Sequence, residues 1–524
     1  MHELTRPQRI GPAEVVAETH TGKVVGRVLA DGKYQFLGIP YASSPNHSEL
    51  RFRAPVDHAP WSGFRDATAH GPSSPQPVVD YWGRPHDAAT AAWGNGGNWY
   101  ALFAPTHRPG DDYLTVNITT PGARAGALPV LVFIHGGAYN FGNNSMAAYD
   151  GAHMAELGVV FVALNYRLGP EGFWHVEGGD SNLGLRDQIH ALKWVQRNIA
   201  RFGGDPDNVT LIGQSAGAGS IGLLSVSPHS TGLFHRAIAH SSGVPGAVSA
   251  EDAAEDAVRV AGAIGLPADR EQLLRLDATE IVERVHRSEL HPVRPCPHGR
   301  MAYATIFAPK VDGDVVLPSY RDDFCRGSDI RPMITGITAD ESAWRVYQTG
   351  AHDIWGEQNL VDYLATLVDD PDSALERFRG VYPNATPAEM KARIMYYDMY
   401  LRNIVPCLKE RASSRVAKTY CYLFDEKSKA GAGRYGAFHL ADVPFLFDLL
   451  DDPSAVSMMG GRAPQETADA MREAWRRFIV DGSSEWPEYD PADETIRVFK
   501  DGVDCLVRDY GDRRLLDYWM GVRR

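Results

Sequence analysis

Two short runs early in the chain, PVLVFIHGG (129–137) and VVFVALNYR (159–167), set apolar, often β-branched positions side by side with no polar interruption. Such runs predict strands buried on both faces, as in a parallel sheet covered by helices. Between 183 and 204 the pattern changes. Leu185, Ile189, Leu192, Val195 and Ile199 recur at steps of three and four, which predicts an amphipathic helix, closed by Gly203-Gly204. NVTLIG (208–213) and the apolar part of FHRAIAHSSG (234–243) predict further buried strands. Strand and helix alternating in this order indicate a largely parallel sheet wrapped by helices. Ahead of it, GKVVGRVLADGKYQFLGIPYA (22–42) predicts an antiparallel hairpin turning at Asp31-Gly32.

Residues 43–110 carry many Pro, Gly, Trp and His without a sustained period and read as long surface loops. Trp82, Trp93, Trp99 and Tyr100 fall in this stretch and are expected to pack the loop rather than line an entrance. In the second half, 250–300 and 355–415 read as helical, and RPMITGIT (331–338) and TYCYLFD (419–425) as two more strands. No repeat, heptad or low-complexity linker divides the chain, so residues 1–524 are expected to form one unit with helical elaborations.

Composition narrows the partners. The chain has 524 residues and a net charge of −14, with no block of consecutive Lys or Arg, which argues against a nucleic-acid backbone partner. The five cysteines form no C-x-x-C pair and suggest neither a zinc site nor a disulfide framework. No window has the roughly 20 uninterrupted apolar residues of a membrane span, and the first residues lack the apolar stretch of a signal peptide. A cytoplasmic monomer or homodimer acting on a small molecule is the expectation.

The candidate chemistry lies in DNVTLIGQSAGAGSIGLL (207–224). Ser215 stands between glycines where a buried strand meets a run of small residues. A lone G-x-S-x-G is weak, but a strand before it and a helix after it are the context of a nucleophile elbow, which leaves the hydroxyl exposed at a sharp turn. A serine needs a base to take its proton and donors for the oxyanion that forms on attack. IHGGAYNFG (134–142), at the end of a strand, offers the Gly136 and Gly137 amides, joined by that of Ala216. The residues themselves do not separate Glu341 from Asp340 as the acid, nor single out one base among 19 histidines.

FLGIPYA (36–42), RFRAP (51–55), VFIHGGAY (132–139), NYRLGPEGF (165–173), NLGLRDQIHALKWVQRNIARFGGDP (182–206), GQSAGA (213–218), TADES (338–342) and GAFHLADVPFLF (436–447) together resemble the type-B carboxylesterases. That family includes bacterial p-nitrobenzyl esterases and the cholinesterases. The resemblance runs through nearly the whole chain in the family's order, with MREAWRRFIVDG and WPEY (471–489) similar to its C-terminal end. It implies an α/β-hydrolase fold, with a large, mostly parallel sheet flanked by helices. It also implies an ester hydrolase working through an acyl-enzyme, with Ser215 as nucleophile, His439 as base, Glu341 as acid, and no metal or organic cofactor. A carbamate or amide hydrolase on the same triad is the alternative. A non-catalytic adhesion homologue fits less well, because every triad position is intact.

The chain departs from the pattern in places. The family's first disulfide positions correspond to Ser74 and Tyr113, and Gln214 stands where cholinesterases carry a glutamate. The family's glutamate three residues after the histidine is Asp442, and Ser483-Ser484 replaces its usual aspartate-proline-asparagine turn. Two matching pairs, Arg51 with Asp111 and Arg167 with Asp187, are expected to be buried structural ion pairs, and Trp194 and Phe202 core residues of the helix.

Overall fold

The computed structural model describes the chain except for residues 1–6, 47–48, 78–99, 104–109, 123–126, 289, 291–305, 327–330, 348–354, 416, 509 and 522–524. The predicted apolar runs form the middle of one sheet. Its parallel centre is β8 (Val160–Leu164), β7 (Leu128–Ile134), β9 (Gly204–Gln214), β10 (Arg236–His240), β11 (Met333–Thr338), β12 (Thr419–Phe424) and β13 (Thr495–Lys500), side by side in that order. On the β8 side follow, antiparallel, β6 (Thr115–Thr120), β4 (Tyr34–Pro40), β3 (Lys23–Val28), β2 (Glu14–Glu18) and β1 (Gln8–Arg9). Short β5 (Phe64–Asp66) runs parallel to β3, and β14 (Val503–Arg508) closes the other edge antiparallel to β13.

Alternation along the central strands explains why both faces are apolar. Val130, Val132 and Ile134 enter one hydrophobic cluster, whereas Leu131 and Phe133 enter another on the opposite face. Helix α1 (Leu183–Asn198) covers the first with Leu185, Ile189, Leu192 and Trp194; helix α3 (Gln465–Asp481) covers the second with Met471, Trp475 and Phe478. Helix α2 (Ala216–Leu224) follows β9 directly. Trp194 and Phe202 are buried in the core as expected.

The hairpin forms as expected, pairing Arg27 with Gln35 around Gly32 at φ 88°. Gly203, at φ 87°, ends the helical stretch, but Gly204 already begins β9. That strand starts ahead of NVTLIG with Gly204, Asp205, Pro206 and Asp207, which form no apolar run and so carry no strand signal. Helices Ala250–Ile264, Arg270–Leu273 and Ala278–Arg287 occupy the described part of 250–300, and Glu357–Ala365, Pro371–Val381, Pro387–Met395 and Arg402–Ser414 that of 355–415. A π-helical turn, Tyr396–Leu401, joins the last two.

Three expectations need correction or qualification. The stretch 43–110 is not all surface, since Phe52, Ser74 and Gln76 are buried. The Gln76 amide exchanges hydrogen bonds with the backbone of Gly142, which draws the loop inward. Trp82, Trp93 and Trp99 lie outside the described residues. Arg51 pairs not with Asp111 but with Glu171, at 2.6 Å, while Asp111 accepts from Asn46; burial of Arg51 beside the start of helix Gly169–Phe173 decides the partner. Arg167 and Asp187 do form the expected buried pair, at 2.7 Å. The four described cysteines are free thiols, and Cys325 and Cys407, 82 residues apart, meet at 2.9 Å between their sulfurs. No helix among the described residues is long and apolar enough to cross a membrane.

Candidate active site

Ser215 is where β9 turns into α2. Its backbone sits at φ 56°, ψ −121°, a conformation a non-glycine residue rarely adopts and one that costs about 1–3 kcal/mol. Two backbone hydrogen bonds hold it there: Ser215 N–H donates to the His240 carbonyl and Gly219 N–H to the Ser215 carbonyl, both at 2.9 Å. The small residues are a steric requirement. A Cβ on Gly217 would lie 2.0 Å from the Ile134 carbonyl oxygen, so a side chain there would push the elbow off β7.

The loop after β7 comes back over the serine. Gly137 has φ 113°, and a Cβ on it would meet the Phe141 carbonyl oxygen at 2.0 Å, so only glycine fits this turn. Asn140 and Phe141 donate their amides to the Gly137 carbonyl and tighten it. Gly136 lies against the elbow, a Cβ there being 3.0 Å from that of Ser215. Among the described residues, no backbone carbonyl accepts from the amides of Gly136, Gly137 or Ala216.

His439 reaches the serine from the loop after β12. Ser215 Oγ lies 2.9 Å from His439 Nε2, and His439 Nδ1 lies 2.6 Å from Glu341 Oε2. Glu341, fully buried just after β11, turns its other oxygen to the Thr338 amide at 2.9 Å. Its neighbour Asp340 faces elsewhere, toward Arg393 at 2.8 Å, Lys427 and the Ala437 amide at 2.9 Å. Burial by itself would raise the Asp340 pKa, but the two cations outweigh it and hold the carboxyl below the usual carboxylate range. One carboxylate bonds the imidazole, and the other bonds the loop that carries it.

Gln214, already noted in the sequence, and several neighbours without a sequence signal of their own surround the triad. Gln214 donates to His439 Nε2 at 3.1 Å, the same nitrogen that faces Ser215, and its Oε1 is buried without a partner among the described residues. Trp344 stacks nearly parallel to the His439 ring, with centroids 5.9 Å apart, and Tyr400 of the π-helical turn lies at 6.4 Å. That turn precedes Pro406, whose missing N–H a regular helix would have to accommodate, and π-turns recur at functional sites. His135 is buried under the glycine loop, stacked on Tyr166, with Nδ1 bonded to the Gly136 carbonyl at 2.8 Å. Burial pushes its pKa down to about 4, so it stays neutral there. Among the described residues one cluster has the residue types of a metal site: His153, Glu156 and Asp448 have ligand atoms within 4.8 Å of one another. Arg472 and Lys33 already pair with its carboxylates, so the cluster reads as a salt-bridge network.

Known proteins share this arrangement of the chain. The profile of the carboxylesterase family matches residues 13–501. The chain is 32% identical over 527 residues to a phenmedipham hydrolase of Pseudarthrobacter oxydans, covering 97% of each. It is 31% identical over 488 residues to a para-nitrobenzyl esterase of Bacillus subtilis, covering 90% of this chain and 92% of the other. The crystal structure of a Geobacillus stearothermophilus carboxylesterase superposes with a TM-score of 0.79 at 30% identity, over 96% of this chain and 99% of that one. The fold is that of the α/β-hydrolases. In sequence and in three-dimensional structure alike, over almost its full length, the chain belongs to the carboxylesterase family.

Proposed function

We propose that this carboxylic ester hydrolase works through Ser215, His439 and Glu341, with the amides of Gly136, Gly137 and Ala216 as oxyanion donors. The observation that carries the reading is the continuous hydrogen-bonded chain Ser215 Oγ–His439 Nε2, 2.9 Å, and His439 Nδ1–Glu341 Oε2, 2.6 Å, on a strained elbow at the end of a central strand. Ser215 Oγ attacks the ester carbonyl carbon as His439 Nε2 takes its proton; Glu341 holds the ring in the tautomer that can accept it and stabilises the resulting imidazolium. Negative charge collects on the former carbonyl oxygen, where the three amides donate to it. Collapse expels the alcohol, which takes the proton from Nε2, and leaves the acyl group on Ser215. Water then enters by the same route and releases the acid.

The substrate we propose is a neutral rather than a cationic ester. Gln214, neutral and buried beside His439 Nε2, puts no negative charge next to Ser215. The net charge of −14 belongs to the whole surface and does not by itself select cations. One relative is described as a phenmedipham hydrolase rather than an esterase. The alternative, a carbamate or amide hydrolase on the same triad, therefore belongs in the test. That test is turnover across p-nitrophenyl esters of increasing acyl length and matched carbamates and anilides, with a fluorophosphonate to label the nucleophile. Labelling at Ser215 in the wild type, absent in Ser215→Ala, supports the reading; persistent labelling moves the nucleophile elsewhere.

A further inference from the structure

A second histidine–carboxylate pair is buried behind the nucleophile. His240 Nδ1 lies 2.7 Å from Asp442 Oδ2, and both residues are essentially inaccessible to solvent. Trp475 Nε1–H approaches the other ring nitrogen, His240 Nε2, at 3.0 Å. An indole N–H only donates, so Nε2 must accept and the ring's proton must sit on Nδ1. The tautomer follows: Nδ1–H donates to Asp442. The Tyr422 hydroxyl, 2.8 Å from Nδ1 and 3.4 Å from Asp442 Oδ2, closes the ring of contacts. Asp442 Oδ1 has no partner among the described residues.

The pair joins two parts of the site that the backbone keeps apart. His240 is the last residue of β10, in register with Gln214, and its carbonyl accepts the Ser215 amide. Asp442 is three residues beyond His439 on the same tight loop, where Ala441 N–H bonds to Phe438 and Val443 N–H to Leu440. On its other side that loop is tied to the end of β11 through Asp340 and Ala437. Given the roles assigned above, we propose that the His240–Asp442 pair is a positioning device, fixing the loop that carries His439 against the strand end that holds Ser215. Nothing reacts at the pair. Its buried, doubly bonded geometry sets the Ser215–His439 distance, and misplacement of such groups by about 1 Å costs on the order of a hundredfold in rate.

The test is kinetic. His240→Leu and Asp442→Leu each remove one half, and each is expected to lower kcat ten- to hundredfold with KM within threefold. The rate of fluorophosphonate labelling should fall in parallel once normalised to the fraction of enzyme that reacts at the endpoint. The double variant should be no more than threefold worse than either single one, because both break the same tie. Asp442→Asn, which still offers an oxygen to Nδ1–H, should keep kcat within threefold of wild type. Single variants within twofold of wild type, losses that multiply in the double, or losses that vanish on normalisation would each overturn the proposal. Should the leucine variants not fold, Tyr422→Phe decides: a threefold or greater loss of kcat at unchanged KM sustains it, and no loss overturns it. Ser215→Ala assayed alongside keeps the two readings apart. If it retains wild-type turnover, the assignment of the nucleophile falls. If it is inactive while the variants of the pair are unaffected, only the positioning role falls.

Discussion

In His439–Glu341 the ring nitrogen facing away from the carboxylate meets Ser215 Oγ; in His240–Asp442 the corresponding nitrogen meets the Trp475 indole. Both pairs lie where the parallel strands end, both are buried, and both carboxylates come from residues just beyond a strand or in the loop after one. The difference is the third partner. A hydroxyl can give up its proton and become a nucleophile, so the first pair ends at a group able to react. An indole N–H in this setting only donates, so the second pair is sealed and can serve geometry alone. Two histidine–carboxylate pairs are thus built alike, and what completes each hydrogen-bonded chain separates the proposed chemistry of one from the proposed positioning role of the other.

Breaking the open pair should have the largest effect. Ser215→Ala is expected to lower ester turnover by several orders of magnitude while leaving the fold intact, checked by steady-state kinetics beside a thermal melt. Next comes its carboxylate. Glu341→Gln should cost on the order of 10³–10⁴ in kcat, because the imidazole loses the anion that orients it. Asp340→Asn, one residue away but bonded to Arg393, Lys427 and the Ala437 amide, should cost less than about tenfold. Losses in the reverse order would reassign the acid.

The comparison sharpens at Gln214, which shares the reacting nitrogen of the open pair. For a matched neutral and quaternary-ammonium ester, kcat/KM should favour the neutral one, and Gln214→Glu should shift that ratio toward the cation by about tenfold, less at high salt. A wild-type preference for the cation that shrinks with salt would contradict the neutral-ester reading. A third buried histidine gives the smallest effect. Among the described residues His135 has no carboxylate partner, and burial brings its pKa from 6.5 to about 4. The unfolded chain therefore binds the extra proton first as pH falls. Stability is complete above about pH 6.5 and declines toward pH 4, by on the order of 3 kcal/mol from this residue. Urea unfolding midpoints across that range should fall less steeply in His135→Gln than in the wild type.

Much of the scaffold was legible because it is written locally. Unbroken β-branched runs give β7, β8 and β9, the three-and-four spacing gives α1, and glycines and alanines around Ser215 follow from the strand–helix approach. Strands β1, β2, β5, β6, β13 and β14 and the first residues of β9 escaped, because each is short or mixes polar residues into its run and so lacks an unbroken apolar stretch. Local chemistry also named Ser215 and the glycine loop as candidates. It left Glu341 beside Asp340, His439 among 19 histidines, and Arg51 without its true partner. The bonds that separate these join residues 98, 224 and 120 positions apart. A side chain's partner at such distances depends on how strands and loops pack, and no window of the sequence contains both ends. Local pattern by itself therefore determined the sheet's centre, the elbow and the kinds of groups available, and the family resemblance pointed to His439 and Glu341; only the tertiary structure decided the bonds themselves, which put His439 against Ser215 and Glu341 behind it, gave Arg51 its partner Glu171, and sealed His240 with a tryptophan.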